Sequence, residues 1–152
     1  MSAATRKAKP LLVFLDSNVI FSGLHSPGGP PGSVLRHMLD GRITVIVSRQ
    51  ILEEIVRTFK KKLPLALPAL SEFLLNSPLE VVSDPEPEGV AHWIKTLHER
   101  DDAIIAAAIA AEPDFFVTGD SHFLKNSRLK TESGLQIFSP SDLLKILRTL
   151  DL

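Results

Sequence analysis

One stretch decides the fold of this chain: Leu11-Leu12-Val13-Phe14-Leu15-Asp16-Ser17-Asn18. Five apolar residues run without a break into an aspartate. An uninterrupted apolar run of this length is typical of a strand that is buried on both faces, as in a parallel sheet. Because the ligands of open α/β sheets bind in the crevice outside the carboxyl ends of the strands, Asp16 is expected where such a fold keeps its chemistry.

The rest of the chain alternates between strand and helix patterns. Further strands are predicted at 43–47, 80–83, 115–118 and 135–138. Helices are predicted at 19–24, 33–40, 49–61, 69–75, 88–98 and 101–111, with a last one that begins at Pro140 and is capped by Ser139. Gly and Pro indicate a loop at 25–32 and a turn at 119–121. We therefore predict a flexible tail at 1–10 and a single α/β domain with a mostly parallel sheet at 11–152.

The bulk composition excludes several classes of protein. The net charge of −1 gives no overall electrostatic signature for nucleic acid, so any such contact must come from a local patch. The absence of cysteine excludes disulfides and thiolate chemistry, and it fits a reducing cytoplasm. The first apolar run is too short for a signal peptide, and no stretch has the length of a transmembrane helix. We expect a cytoplasmic protein without a membrane segment.

Two strands of the predicted sheet are followed by aspartates. Asp120 follows the strand at 115–118 much as Asp16 follows the first strand, so both carboxylates are expected at one edge of one sheet. Glu54 lies at the border of the apolar face of its helix and can point inward, whereas Glu53 is predicted to be exposed. Each acid alone is more often a turn residue or a helix cap. Together, carboxylates without a cysteine or histidine partner suit a hard cation such as Mg²⁺ or Mn²⁺.

Asp101 and Asp102 open the alanine-rich helix, where a carboxylate is favoured by the free amides of the first turn. From the connection alone we would place this helix start at the opposite edge of the sheet, because the helix leads into the strand that carries Asp120. Periodicity does not decide whether these two acids meet Asp16.

Four stretches of the chain, in order, resemble the four landmarks of the PIN domain, and the similarity is greatest to the VapC-like branch of toxin–antitoxin ribonucleases. The resemblance implies a three-layer α/β/α fold and an endoribonuclease that uses Mg²⁺ or Mn²⁺. It also implies an RNA substrate, a small antitoxin partner, a homodimer, and a position for the alanine-rich helix start near the other acids. The stretches are Leu15-Asp16-Ser17-Asn18-Val19, Ser48-Arg49-Gln50-Ile51-Leu52-Glu53-Glu54-Ile55, Asp101-Asp102-Ala103-Ile104-Ile105-Ala106-Ala107-Ala108 and Val117-Thr118-Gly119-Asp120.

The resemblance also assigns roles to individual residues. It implies that the catalytic acids are Asp16, Glu54, Asp101 and Asp120, of which all but Glu54 would bind the metal; Asp102 is the alternative to Asp101. Glu54 matches the helical glutamate because an aliphatic residue follows it.

Polar neighbours of these acids carry over as supporting residues. They are Asn18, two places after the first aspartate, Ser17, and Thr118 of the threonine-X-aspartate motif. Many members of the branch carry a further acid just after that motif, where this chain has Ser121 and His122. The number of metal ions therefore stays open.

Other functions compete with this one. A phosphatase of the haloacid dehalogenase type also opens with a strand and an aspartate, but it needs a second aspartate and then a threonine where this chain has Asn18 and Ile20. A catalytically silent PIN-like binding domain is the other alternative. The basic helix end at 57–62 is expected to be solvated or to contact the RNA backbone. The leucine-rich segment at 63–79, around Leu70, Leu74 and Leu75, supports the expected homodimer.

Overall fold

A computed structural model of the chain describes residues 10–86 and 99–150. A sheet of five parallel strands lies at its centre, in the order β3-β2-β1-β4-β5, with helices on both faces. The predicted three-layer α/β/α fold with a parallel sheet is confirmed. The strands are β1 (Leu11–Leu15), β2 (Ile43–Ser48), β3 (Glu80–Val82), β4 (Phe115–Val117) and β5 (Ile137–Phe138).

The helices connect these strands as the alternating pattern predicts. The predicted helix at 88–98 and the predicted tail, apart from Pro10, lie outside the described residues. No helix in the described ranges has the length and apolar run that crossing a bilayer requires. The helices are α1 (Ser17–His25), α2 (Pro30–Leu39), α3 (Arg49–Lys62), α4 (Leu67–Asn76), α5 (Glu99–Ala111), α6 (Ser121–Leu124), α7 (Ser127–Ser133) and α8 (Pro140–Thr149), with a 3-10 turn at Pro64–Ala66.

Strand β1 is the central strand, and its neighbours are β2 and β4. Val13, Phe14 and Leu15 are fully buried, as expected for a strand that is covered on both faces. Leu15 pairs with Val117, the last residue of β4, so the two strands end at the same level. This register brings the residues that follow β1 and β4 to one edge of the sheet.

Helix α5 packs against the sheet through a buried apolar face that includes Ile104, Ile105 and Ala108. It ends at Ala111, and β4 begins at Phe115 after three intervening residues. A helix that packs on a parallel sheet and leads directly into a strand runs antiparallel to that strand, so its first turn lies toward the carboxyl edge. The opposite placement, which we inferred from the connection alone, is wrong, and the placement implied by the resemblance fits.

The loop predicted at 25–32 is shorter in the structure, because α1 extends to His25 and α2 already begins at Pro30. Proline is favoured in the first turn of a helix, where its missing N–H costs nothing. The glycine at position 32 is there for a different reason. A Cβ atom at this buried position would lie 2.1 Å from the carbonyl oxygen of Pro27. Gly32 therefore allows two backbone segments to approach closely, and it does not mark a flexible loop. The short helices α6 and α7 were also not predicted.

Candidate active site

Asp16 lies buried at the carboxyl edge of β1, with 4% of its surface exposed. Its Oδ1 accepts a hydrogen bond from the backbone N–H of Ser17 at 2.8 Å, which caps α1. Its Oδ2 accepts from Oγ1 of Thr118 at 2.8 Å and from Nδ2 of Asn18 at 3.2 Å. The carboxylate is thus held in one orientation by donors from two neighbouring strand ends.

Thr118 and Asn18 join the end of β4 to the start of α1. Oγ1 of Thr118, besides donating to Asp16, accepts from the backbone N–H of Asp120 at 3.0 Å. Oδ1 of Asn18 accepts from the backbone N–H of Gly119 at 2.9 Å. Two of the three residues that the resemblance marks as supporting therefore form hydrogen bonds that fix the two strand ends relative to each other.

Glu54 lies on α3 with 3% of its surface exposed, and its Oε1 accepts from Oγ of Ser17 at 2.9 Å. Gln50, one turn earlier, approaches Oε2 of Glu54 with its side-chain amide at 3.4 Å. Glu53 instead points outward, where it forms an exposed ion pair with Arg49 at 3.4 Å. The predicted orientation of the two glutamates is confirmed: Glu54 faces the site and Glu53 faces solvent.

Asp120 is half-buried and caps the short helix α6, because its Oδ1 accepts from the backbone N–H of His122 at 2.8 Å. The imidazole Nδ1 of His122 lies 3.4 Å from the same oxygen, and this side chain is 89% exposed. Asp16 and Asp120 thus each follow a strand and each cap the next helix. Both lie at the carboxyl edge of the same parallel sheet, as predicted.

The pKa of Asp16 is affected by its burial and by the charges of two neighbouring acids. Burial is the main cause that raises the pKa of Asp16 from 3.8 to about 6. The hydrogen bonds from Thr118 and Ser17 lower the pKa, and the negative charges of Glu54 and Asp120 raise it further. A carboxylate that is destabilised by burial and by neighbouring carboxylates gains from a nearby cation, so this set of acids has the electrostatic character of a cation site.

The two acids of α5 differ in burial. Asp102 is fully buried, and Asp101 is only partly so. Complete burial is uncommon for an aspartate and indicates that its side chain points into the protein. The prediction that named Asp101 as the third acid, with Asp102 as the alternative, is not tested by this difference alone.

The side-chain oxygens of the candidate site are suitable ligands for a hard divalent cation. All are carboxylate or hydroxyl oxygens, which Mg²⁺ and Mn²⁺ prefer. Each carboxylate oxygen can accept more than one interaction, so the hydrogen bonds at Asp16 leave room for a ligand bond. Within residues 10–86 and 99–150, however, no three acidic or histidine side chains are arranged closely enough to hold an ion as they stand. The structure therefore brings Asp16, Glu54 and Asp120 to one region without assembling a complete coordination shell.

Gln50 and Asp84 are polar neighbours of the site that sequence reasoning missed. Oδ1 of Asp84, which follows β3, accepts from the backbone N–H of Gln50 at 3.0 Å and so holds the first turn of α3. The spacing of four residues between Gln50 and Glu54 places both on one helix face and was available from the sequence. The contact of Asp84 joins residues that are distant in sequence, and no local pattern indicates it.

Comparison with known proteins gives one family and a consistent fold. A family model described as PIN domain matches residues 12–122. No curated protein matches the sequence significantly. The chain is similar in structure to VapBC2 from Rickettsia felis, solved bound to a DNA fragment from the promoter, with a TM-score of 0.63, 16% identity, and coverage of 85% of this chain and 98% of that one.

Two further crystal structures have the same fold. PAE2754 from Pyrobaculum aerophilum gives a TM-score of 0.62 at 16% identity and covers 97% of this chain and 96% of its own. FitAcB from Neisseria gonorrhoeae gives a TM-score of 0.60 at 20% identity, with coverage of 84% and 97%. At these identities the structures establish the fold and leave the activity to be argued from the site.

Proposed function

This chain belongs to the PIN-domain family, and we propose that it is an endoribonuclease that hydrolyses RNA phosphodiester bonds with Mg²⁺ or Mn²⁺. PIN domains are generally nucleases, so a hydrolase is the expected class of enzyme. One observation carries the proposal: the buried Asp16 lies at the carboxyl edge of the sheet in the field of Glu54 and Asp120, and its pKa is raised to about 6. A divalent cation would stabilise the ionised form of this carboxylate, and the chain belongs to a family of nucleases. Together these two points support metal-dependent cleavage.

The proposed roles follow from the contacts. Asp16, Asp120 and one acid of α5 would hold the metal, and Glu54 would complete the catalytic set. A bound divalent ion supplies an activated water and neutralises charge on the scissile phosphate. Thr118 and Asn18 hold the carboxylate of Asp16 in place, and Oγ of Ser17 orients Glu54 through the 2.9 Å hydrogen bond.

The third acid of the proposal is Asp101, with Asp102 as the alternative. Asp101 comes from the resemblance, and the complete burial of Asp102 is the reason to test the alternative beside it. Asp101→Asn and Asp102→Asn decide between them, since loss of metal-dependent cleavage in only one variant identifies the acid. Loss in neither would remove α5 from the mechanism.

The decisive experiment is a cleavage assay on structured and unstructured RNA with Mn²⁺, Mg²⁺ or chelator. Asp16→Asn and Glu54→Gln should lose cleavage, because each removes one negative charge from the site with little change in shape. Glu53→Gln is the matched control: it removes the same charge from the same helix on the solvent side and should cleave like the parent.

Two outcomes would contradict the proposal. A parent protein that leaves RNA intact with both metals would favour the catalytically silent PIN-like domain. Cleavage that is equal in the parent, Asp16→Asn and Glu54→Gln would exclude the carboxylate-metal mechanism. The haloacid dehalogenase alternative has lost its support, because the family model that matches this chain is that of the PIN domain.

We further propose that the chain is the toxin component of a toxin–antitoxin pair in the cytoplasm. VapBC2 from Rickettsia felis is a structural neighbour at 16% identity, which motivates the proposal. Co-expression with the product of an adjacent gene for a small DNA-binding protein should suppress both the RNA cleavage and any growth arrest. A neighbouring small protein that neither binds nor inhibits this chain would refute the pairing.

The proposed homodimer depends on exposed leucines near α4. Leu70 is 3% exposed and belongs to the core, whereas Leu75 is 85% exposed and Leu65 in the preceding 3-10 turn is 97% exposed. Light scattering of the parent should give the mass of a dimer, and the double variant Leu65→Glu/Leu75→Glu should give that of a monomer. A monomeric parent at high concentration would remove the proposal.

A further inference from the structure

A polar cleft lies directly beside the candidate active site. Its volume is about 570 Å³. Two of its side chains are cationic, Lys125 and Arg128, and none is acidic. The lining residues are Ser121, His122, Lys125, Asn126, Ser127 and Arg128, from α6, α7 and the turn between them.

The cleft begins where the candidate site ends. Asp120 caps α6, and the next two residues, Ser121 and His122, line the cleft. The imidazole Nδ1 of His122 lies 3.4 Å from Oδ1 of Asp120. A nucleic-acid strand bound in the cleft would therefore extend to the acids at the carboxyl edge of the sheet.

We propose that this cleft binds the phosphate backbone of the RNA substrate next to the cleavage position, with Lys125 and Arg128 as its phosphate contacts. The proposal rests on the proposed nuclease function and adds the surface that holds the substrate. Proteins contact nucleic-acid phosphates mainly through Arg, Lys, Ser and Asn side chains, which is the composition of this lining. Because the net charge of the chain is −1, attraction to RNA must come from a local patch of this kind.

The Nε atom of Arg128 donates to Oε1 of Glu132 at 2.8 Å, and both side chains are exposed, at 75% and 40%. An exposed pair one helical turn apart is a weak interaction. It therefore holds the guanidinium at the cleft without preventing the exchange of its partner for a phosphate.

The basic side of α3 is a less suitable RNA surface, and it provides the control. A second groove there is lined by Arg49, Arg57 and Lys60, but also by Glu53 and by the apolar Leu52, Val56 and Leu74. Lys60 and Lys61 are exposed at the end of α3 and do not line the cleft beside Asp120. Replacing them changes the net charge by the same amount as replacing Lys125 and Arg128.

The test measures binding of a fluorescent single-stranded RNA in chelator, where no metal-dependent cleavage occurs, at salt concentrations from 0.1 to 1 M. The variants are Lys125→Gln/Arg128→Gln and the control Lys60→Gln/Lys61→Gln, each checked by thermal melting. Loss of two phosphate contacts should reduce the slope of log affinity against log salt by about 1.4. Affinity should then fall about 25-fold at 0.1 M and change little at 1 M, whereas the control should bind like the parent.

The outcomes separate this inference from the nuclease proposal. A selective loss of slope in the cleft variant supports the cleft even if no protein cleaves RNA, in which case only the nuclease function fails. An unchanged slope in the cleft variant, an equal loss in both double variants, or a parent that does not bind RNA overturns the cleft. A parent that cleaves RNA while the cleft variant binds and cleaves equally well overturns the cleft and leaves the nuclease intact.

Discussion

Replacement of Asp16 by Asn should make the metal-free protein more stable at neutral pH. The folded protein raises the pKa of Asp16 from 3.8 to about 6. Since each pKa unit corresponds to 1.36 kcal/mol, the ionised carboxylate destabilises the fold by about 3 kcal/mol above pH 6. The amide of Asn has no charge, so it avoids this cost while keeping the shape and the oxygen that caps α1.

The gain is reduced by one lost hydrogen bond. Oδ2 of Asp16 accepts from both Thr118 and Asn18, and an amide nitrogen in its place cannot accept. The hydroxyl of Thr118 can turn to accept from that nitrogen instead, so the bond from Asn18 is the one that is lost. A lost hydrogen bond of this kind costs about 1 kcal/mol. The net gain at pH 8 is therefore about 2 kcal/mol, which corresponds to a rise in melting temperature of about 4 to 8 °C for a chain of this size.

The sign of the pH dependence provides the sharper test. A raised carboxyl pKa means that the folded state holds the proton more tightly than the unfolded state. The stability of the parent relative to Asp16→Asn is therefore greatest below pH 3.8 and falls as the pH rises to about 6. Above about pH 6 the difference in stability between the two proteins no longer changes with pH.

The assay is thermal or urea unfolding of both proteins in chelator between pH 4 and pH 8. Glu53→Gln is the control, because it removes an equal charge at an exposed position and should not reproduce the pH-dependent difference. A stability difference between the parent and Asp16→Asn that does not vary with pH would refute the reasoning. So would a variant that is less stable than the parent at pH 8.

Three further predictions concern the hydrogen bond from Thr118, the close contact at Gly32 and the binding of metal. Thr118→Val removes a donor to Asp16; it should raise the pKa of that carboxyl further and lower the free energy of unfolding at pH 8 by about 1 to 3 kcal/mol, measured in urea. Gly32→Ala should destabilise by about 1 to 3 kcal/mol in the same assay, because its Cβ would lie 2.1 Å from the carbonyl oxygen of Pro27, while Gly28→Ala, with nothing within 4 Å, should be close to neutral. Mn²⁺ at about 100 times its dissociation constant should stabilise the parent by about 2.7 kcal/mol in thermal melts and Asp16→Asn by much less; equal stabilisation of both would mean that the ion binds elsewhere.

The sequence predicts the sheet well because its strands carry their signal locally. The five apolar residues at 11–15 need burial on both faces, and β1 in the centre of the sheet provides it. The inward orientation of Glu54 was also predictable, since its position on the helix relative to Ile55 is fixed by the helical period. Its exposure of 3% follows from the packing of α3 on the sheet.

Features that depend on distant parts of the chain were not predictable. The start of α2 was obscured because Pro and Gly indicate a loop by composition, whereas Gly32 is required by the approach of Pro27. The bond from Thr118 to Asp16 joins residues 102 positions apart, and it forms only because β1 and β4 are neighbours. The choice between Asp101 and Asp102 depends on the rotation of α5, and its alternation of alanines and isoleucines, which are all apolar, marks that rotation only weakly.

The capping role of the two strand-end acids has an evolutionary consequence. Asp16 and Asp120 each accept a hydrogen bond from the first turn of the next helix, so selection for folding alone would retain Asp, Asn, Ser or Thr at both positions. A lineage that had lost its activity would still keep cap-forming residues there. Glu54 caps no helix and is buried in the middle of α3, where neutral drift would favour an uncharged side chain. Among relatives of this chain, the retention of a glutamate at position 54 is therefore the better mark of a lineage that is still under selection for catalysis.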